Sequence, residues 1–267
     1  MYKIKDIINK VHNADCLDFM KDIPNKSIDL IITSPPYDNL RDYKGYVFNF
    51  KKIAKELFKI IKIGGILVWI VGDATIDGSE TGTSFKQALY FKEIGFNLHD
   101  TMIWNKGKLS FPETNRYSNV FEYMFVFSNG KPNVFNCIKD RKNKWYNGKK
   151  HIKGHYRTSD GKIKRHNKEN LLKKFGSRFN IWNLSSGCNK STLDKIAFKH
   201  PAIFPEKLAE DHILSWSNEN NIVLDPMCGS GTTCKMAMLN KRNFIGIEIS
   251  KEYCEIARQR LRQRQLL

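Results

Sequence analysis

The sequence lacks any apolar run long enough to cross a bilayer. Its longest clean stretch, Ile66 to Val71, is six residues, where about twenty are needed. The opening residues Met1-Tyr-Lys-Ile-Lys-Asp6 carry charge where a signal peptide would place its apolar core, so a cytoplasmic, membrane-free protein is expected. No Cys-x-x-Cys pair occurs among the six cysteines at 16, 137, 188, 228, 234 and 254. That removes the usual signal for structural zinc or a redox pair; no metal is expected, and the thiols are read as reduced and mostly buried. No Gly-Lys-Ser/Thr follows a glycine-rich turn, which excludes a phosphate loop of the NTPase kind. Acidic residues are scarce: 27 against 45 Lys and Arg, a formal charge of +18. Such an excess points to a polyanionic partner, nucleic acid first. With 41% hydrophobic and 27% charged residues, the composition is that of a globular domain rather than a disordered chain or a fibre.

The positive charge is concentrated. Residues 129–195 hold 18 Lys and Arg against 4 Asp and Glu, a net +14. Aromatics are interleaved there: Trp145, Tyr146, Tyr156, Phe175, Phe179 and Trp182. Long periodic apolar runs are missing. Phosphate contacts need Lys and Arg, and base-edge readout needs a few placed polar side chains, so this stretch reads as a DNA-facing module. A solvated insertion is the competing reading.

Around it the pattern changes to strands alternating with helices. Strands are expected at Ser27–Thr33, Ile66–Val71, Phe96–Trp104, Phe121–Phe127, Ile222–Asp225 and Phe244–Glu248. Helices are expected at Phe50–Lys62, stopped by Gly64-Gly65, and at Phe85–Ile94, Thr232–Asn240 and Lys251–Arg264. Asp73–Ser84 reads as a loop, with mobility on ligand binding weighed against a plain surface role. His12, His99 and His212 are read as structural. The whole predicts an α/β fold with a doubly wound, mostly parallel sheet. The domain reading is 1–128 and 198–267 as two halves of one domain, with 129–197 inserted.

Three short motifs carry chemistry. Asp225-Pro-Met-Cys-Gly229-Ser-Gly231-Thr232-Thr233 joins a strand to a helix, where doubly wound sheets bind ligands. Glu248 ends the next strand, and a carboxylate there suits a ribose diol. Thr33-Ser34-Pro35-Pro36-Tyr37 follows another strand. Its prolines fix the backbone, so the Ser34 hydroxyl and Pro35 carbonyl become rigid acceptors beside an aromatic face. That suits an exocyclic amino group on a planar base stacked on Tyr37. His200-Pro-Ala-Ile-Phe204-Pro205 alone is only a turn entering a helix.

Together these residues resemble the amino-methyltransferases of DNA, which move a methyl group from S-adenosylmethionine to an exocyclic nitrogen. The resemblance makes Ser34, Pro35, Pro36 and Tyr37 the catalytic motif. It makes Asp225, Gly229, Gly231, Thr232 and Glu248 cofactor residues, with His200 and Phe204 beside the methionine part. Asn13-Ala-Asp15-Cys16 resembles the acidic element near the cofactor's adenine. The order of catalytic motif, insertion and cofactor motif is that of the family's β class. This implies a circularly permuted Rossmann-like methyltransferase fold, with 129–197 as a target-recognition insertion. Permutation also places the strand leading to Asp15 beside the Glu248 strand.

In the family, Ser-Pro-Pro-Tyr is found mainly in cytosine-N4 enzymes and Asp-Pro-Pro-Tyr mainly in adenine-N6 enzymes. Ser34 therefore favours cytosine N4, with adenine N6 as the alternative and an inactive DNA-binding relative ranked below both. Cytosine C5 transfer is disfavoured, since its nucleophilic Cys typically follows Pro and no Pro-Cys occurs. The implied reaction is direct in-line attack by the amino nitrogen of a flipped base. Asp38 is weighed as proton acceptor against a solvated loop carboxylate. The implied partner is double-stranded DNA. A homodimer and a companion restriction endonuclease fit the family, and no motif decides either.

Overall fold

The strand expected before the Ser-Pro-Pro turn lies at the centre of the fold. The computed structural model describes residues 2–36, 48–107, 115–144, 146, 150–151, 154–165, 170–171 and 173–262. Tyr37 and Asp38 lie outside the described residues, as do positions 263 and 264 of the expected last helix. Eight strands form one sheet: β1 (Lys10–Asn13), β2 (Ile28–Thr33), β3 (Ile61–Val71), β4 (Asn97–Asn105), β5 (Phe121–Ser128), β6 (Ile181–Asn183), β7 (Ile222–Asp225) and β8 (Asn243–Glu248). Their order across the sheet is β1-β8-β7-β2-β3-β5-β4-β6. All neighbours are parallel except β5, which is antiparallel to both β3 and β4.

The helices are α1 (Ile4–Ile7), α2 (Cys16–Lys21), α3 (Phe50–Ile60), α4 (Thr83–Glu93), α5 (Glu206–Trp216), α6 (Thr232–Leu239) and α7 (Lys251–Arg262). They cover both faces of the sheet, and two apolar clusters result. One packs α2, α3 and α4 on Ile31, Leu67, Trp69 and Phe127. The other packs α5, α6 and α7 on Leu30, Ile32, Val68 and Val223. The central strands are therefore near-continuous apolar runs, as two-sided burial requires. α3 forms because Ile53, Ala54, Leu57 and Ile60 recur on one face, and Asn49 caps it by accepting from the Lys52 N–H. No described helix is long and apolar enough to cross a membrane.

The topology reverses between β7 and β2. The connection from β7 through α6 leads to β8 on one side. The connection from β2 through α3 leads to β3 on the other. β1 then pairs in parallel with β8, Asn13 opposite Glu248. The chain's first and last strands are thus neighbours, as a permuted arrangement requires.

Two local expectations are corrected. Gly64-Gly65 does not separate helix from strand: α3 ends at Ile60, and β3 starts at Ile61 and runs through both glycines. Gly64 has φ +77°, a Cβ there would lie 2.2 Å from the Asn133 side chain, and the pairing of β2 with β3 shifts register nearby. The glycines make an irregularity inside a strand, with a side chain packed on the bare backbone. Asp73–Ser84 is not wholly loop. It contains a small hairpin, Thr75–Ile76 with Ser79–Glu80, and the first two residues of α4.

The chain divides into two compact units. The larger comprises Met1–Asn136 and Asn180–Leu267 and holds the whole eight-stranded sheet. The smaller, Cys137–Phe179, lies inside the basic stretch. Residues 129–136 and 180–197, which composition alone assigned to the insertion, belong to the larger unit, and β6 pairs there with β4. The smaller unit is a nested antiparallel ribbon. Arg141–Lys142 pairs with Phe175–Gly176, Lys150–His151 with Asn170–Leu171, and His155–Arg157 with Ile163–Arg165. It carries 15 Lys and Arg against 3 Asp and Glu. Phe179 in it stays exposed under the Arg141 guanidinium at 4.6 Å.

Candidate active site

Four parallel strands, β1, β8, β7 and β2, deliver their carboxyl ends to one edge of the sheet. A cavity of 660 Å³ opens there. Ser34, Pro35 and Pro36 line it from the end of β2, and Gly229, Ser230 and Thr232 from the turn after β7. Glu248 lines it from the end of β8, and His200 and Phe204 from the segment before α5. Residues up to 237 positions apart in sequence, Cys16 and Tyr253, thus meet at the point where the strand order reverses, the place where open α/β sheets bind ligands.

The glycine-rich turn is held from several sides. The Gly229 N–H donates to Glu248 Oε2 at 2.9 Å, and the Ser250 N–H to Oε1 at 2.8 Å. Burial raises the Glu248 pKa, while the N–H groups of Ser250, Gly229 and Ile249 oppose the rise. The Glu248 carboxylate lies on the cavity wall with acceptor capacity beyond these bonds, which suits a ribose hydroxyl. Gly229 has φ +51°, and a Cβ there would meet His200 Nε2 at 2.8 Å. His200 is positioned in turn by Nδ1, 2.7 Å from the Ala202 carbonyl, and by an edge-on Tyr253 ring at 4.4 Å.

Asp225 does not line the cavity; it ties the two sides together. The Thr33 hydroxyl donates to Asp225 Oδ1 at 2.9 Å, and the Met227 N–H to the same oxygen at 3.2 Å. Burial pushes its pKa up to about 6, against the Thr233 and Thr33 hydroxyls and the Met227 N–H, and with some help from the Glu248 charge. Gly231 also lies off the wall. It has φ +77°, and its missing Cβ leaves room for Ala257 of α7. Asp15 is likewise outside the lining. Its carboxylate caps α2, accepting from the Leu17 and Asp18 N–H groups at 2.7 and 3.1 Å. Its neighbour Cys16 reaches the cavity instead.

Several lining residues carry no local motif. Trp104 and Lys106 come from the end of β4, and Glu122 from β5; Lys106 pairs with Glu122 at 3.0 Å, and the Trp104 indole donates to the Leu184 carbonyl at 2.7 Å. Asp73 follows β3 and fixes the start of α4, accepting from the Ser84 N–H at 2.8 Å and hydroxyl at 2.5 Å. Their shared signal in sequence is position: each sits at or just past a strand end facing the site.

Behind the turn lies a buried ion cluster. The fully buried Arg260 donates to the Ser230 carbonyl at 2.7 Å and to the Thr232 hydroxyl at 3.1 Å. It also bonds Glu206 at 2.8 Å and Asp194 at 3.2 Å. Lys235 bonds the same two carboxylates, each at 2.6 Å. Burial pushes the Asp194 carboxyl up, but Lys235 and Arg260 outweigh it and hold the group below its usual range. Two cations and two anions balance, so the cluster fixes the turn without leaving an uncompensated charge.

Comparison with known proteins agrees with this fold. The family model for DNA methylases of the N6/N4 type matches residues 28–259, and the chain belongs to that family. An orphan methyltransferase, M.BamHII from Bacillus amyloliquefaciens, is 67% identical over 242 residues, covering 91% of each chain. Two solved structures, each 21% identical, share the fold. The cytosine-N4-specific PvuII DNA methyltransferase superposes with a TM-score of 0.65 over 94% of this chain and 85% of its own. A putative DNA modification methylase from Thermus thermophilus, solved with S-adenosyl-L-methionine, gives 0.62 over 95% of each.

Proposed function

We propose that this DNA methyltransferase transfers the methyl group of S-adenosylmethionine to the exocyclic N4 of cytosine in double-stranded DNA. The observation that carries the reading is the meeting of Ser34 and the glycine-rich turn on one cavity. The cofactor half supports this: Gly229, with no side chain, lets the His200 ring pack on the turn, and the Glu248 carboxylate on the cavity wall can accept from a ribose hydroxyl. Bound S-adenosylmethionine supplies an activated methyl group on its sulfonium.

The chain's own residues do the rest. The flipped base enters beside Ser34 and Pro35. Ser34 Oγ and the Pro35 carbonyl accept the two amino hydrogens and draw the nitrogen towards tetrahedral geometry, exposing its lone pair. The two prolines keep these acceptors from rotating away, so catalysis is mainly positioning and electrostatics. No protein nucleophile is required, and the proton that the nitrogen sheds as it gains the methyl group passes to water. Tyr37 would stack on the base. His200 and Phe204 would flank the methionine part of the donor, Asp225 would set the distance between the two halves, and Gly231 and Thr232 would shape the turn. Asp15, which caps α2, would act on the adenine side through Cys16. The basic ribbon Cys137–Phe179 would read the target, since a two-stranded ribbon fits the major groove and its charge suits phosphates.

Ser34 in place of the Asp common in adenine-N6 members favours cytosine; adenine N6 is the second reading, which the family's breadth allows. The test is to incubate the protein with donor and unmethylated DNA, digest to nucleosides and identify the product by mass spectrometry. N4-methylcytosine is expected. N6-methyladenine would overturn the base assignment.

A further inference from the structure

We propose that a second cavity, at the opposite end of the sheet from the active site, is a binding site for phosphate groups. The cavity measures 740 Å³ and lies where β1 and β8 begin, against α7. About 16 Å of β8 separates it from Glu248. Five cationic side chains line it: Lys10, Lys241, Arg242, Arg258 and Arg262. None of its described lining residues is Asp or Glu. Outside residues 129–195 the whole chain has a net charge of only +4, the difference between +18 and +14. These five charges therefore exceed the entire excess carried by the rest of the molecule.

Three of the five have no carboxylate contact among the described residues. Lys10 Nζ donates to the Asp6 carbonyl at 2.7 Å, and Arg258 to the Val11 carbonyl at 2.8 Å. Arg242 is buried and donates to the Ser217 and Asn240 carbonyls at 2.6 and 2.7 Å. Carbonyl dipoles solvate a cation but do not cancel its charge. Lys241 and Arg262 do reach Glu219 and Glu255, at 3.3 and 3.5 Å, in exposed pairs that water and salt weaken. The rim is also fixed. Asn9, Asn220 and Lys241 all hold φ between 57° and 68°. Asn9 and Asn243 bond side chain to side chain at 2.9 Å, and Asn243 bonds the Asn220 carbonyl at 2.9 Å. His12, in the same wall, reports the field: burial lowers its pKa, and Lys10 and Arg258 lower it further against a hydrogen bond with the Ile7 carbonyl.

The charge count selects the ligand chemistry. One carboxylate would answer a single cation. A phosphate or linked phosphates bring several charges and a ring of acceptor oxygens that match guanidinium forks. The groups can come from DNA phosphodiesters or from a free polyphosphate.

The test follows the His12 imidazole by NMR in the full chain, with inorganic pyrophosphate and, separately, with a short DNA duplex. An anion in the cavity raises the His12 pKa by roughly half a pH unit or more. Lys10→Gln and Lys241→Gln, both exposed, weaken that response about tenfold each and leave methyl transfer unchanged. A response to pyrophosphate assigns a free polyphosphate; a response to duplex alone assigns the DNA backbone. No movement of His12 with either probe, or equal movement in native and substituted chains, overturns the proposal.

Discussion

The two flanks of the β7–β2 junction are built differently. On the β7 side, the glycine-rich turn is held by Glu248, by Arg260, by α7 packed against Gly231 and by the His200 ring against Gly229. On the β2 side, the Ser34 turn is stiffened by two prolines, and the strand before it is tied to the β7 side by Thr33 donating to Asp225 and by the Thr233 hydroxyl donating to the Ile32 carbonyl. Many contacts thus fix the turn that is proposed to hold the cofactor. The proposed base-receiving side draws its stiffness from its own backbone, through Pro35 and Pro36.

The largest expected effect that would break this contrast is at Arg260. Arg260→Ala leaves the Ser230 carbonyl without that donor and leaves Lys235 alone to balance the carboxylates of Asp194 and Glu206. Stability in urea is expected to fall by about 3–5 kcal/mol, and cofactor affinity with it. An unchanged unfolding midpoint would show that the turn holds its shape unaided.

Asp225 sharpens the comparison through pH. Its carboxyl pKa is 3.8 in an unperturbed chain and about 6 in the fold, so the fold prefers the protonated form. Its contribution to stability is fully present below pH 3.8 and is lost as pH rises through 6, a change of roughly 3 kcal/mol. Native stability, measured against Asp225→Asn at several pH values, should therefore fall between pH 4 and 7. A flat difference would mean that the carboxyl is not desolvated as described.

The smallest effect separates the two glycines. Gly231→Ala forces a Cβ to 2.8 Å from Ala257 at φ +77°, costing about 1–3 kcal/mol of stability. Gly229→Ala meets only the His200 ring, which can swing away. It should cost about 1 kcal/mol of stability while weakening cofactor binding more. Calorimetry with thermal unfolding on both variants checks the order.

The parts of this site that were legible in the sequence are those made locally. Asp225–Thr233 and Thr33–Pro36 each sit within one strand-to-turn step, so their residue types declare their geometry. Arg260, Lys235, Asp194 and Glu206 were not legible. In sequence they look like ordinary surface charges, and only packing brings them together across up to 66 positions. Composition blurred the basic stretch for a similar reason. β6 is three residues long, and its Trp182 sits between Asn180 and Asn183, but pairing with β4 makes it part of the main sheet. Gly64 and Gly65 misled because a strand irregularity and a helix stop use the same residue.

The most direct test of the central claim is a split measurement on Ser34→Ala. Donor affinity by calorimetry should stay near native, because the β7 side is intact. Single-turnover methylation should fall about 10²–10³-fold with the loss of one acceptor aimed at the amino group. Native turnover in that variant would contradict the account.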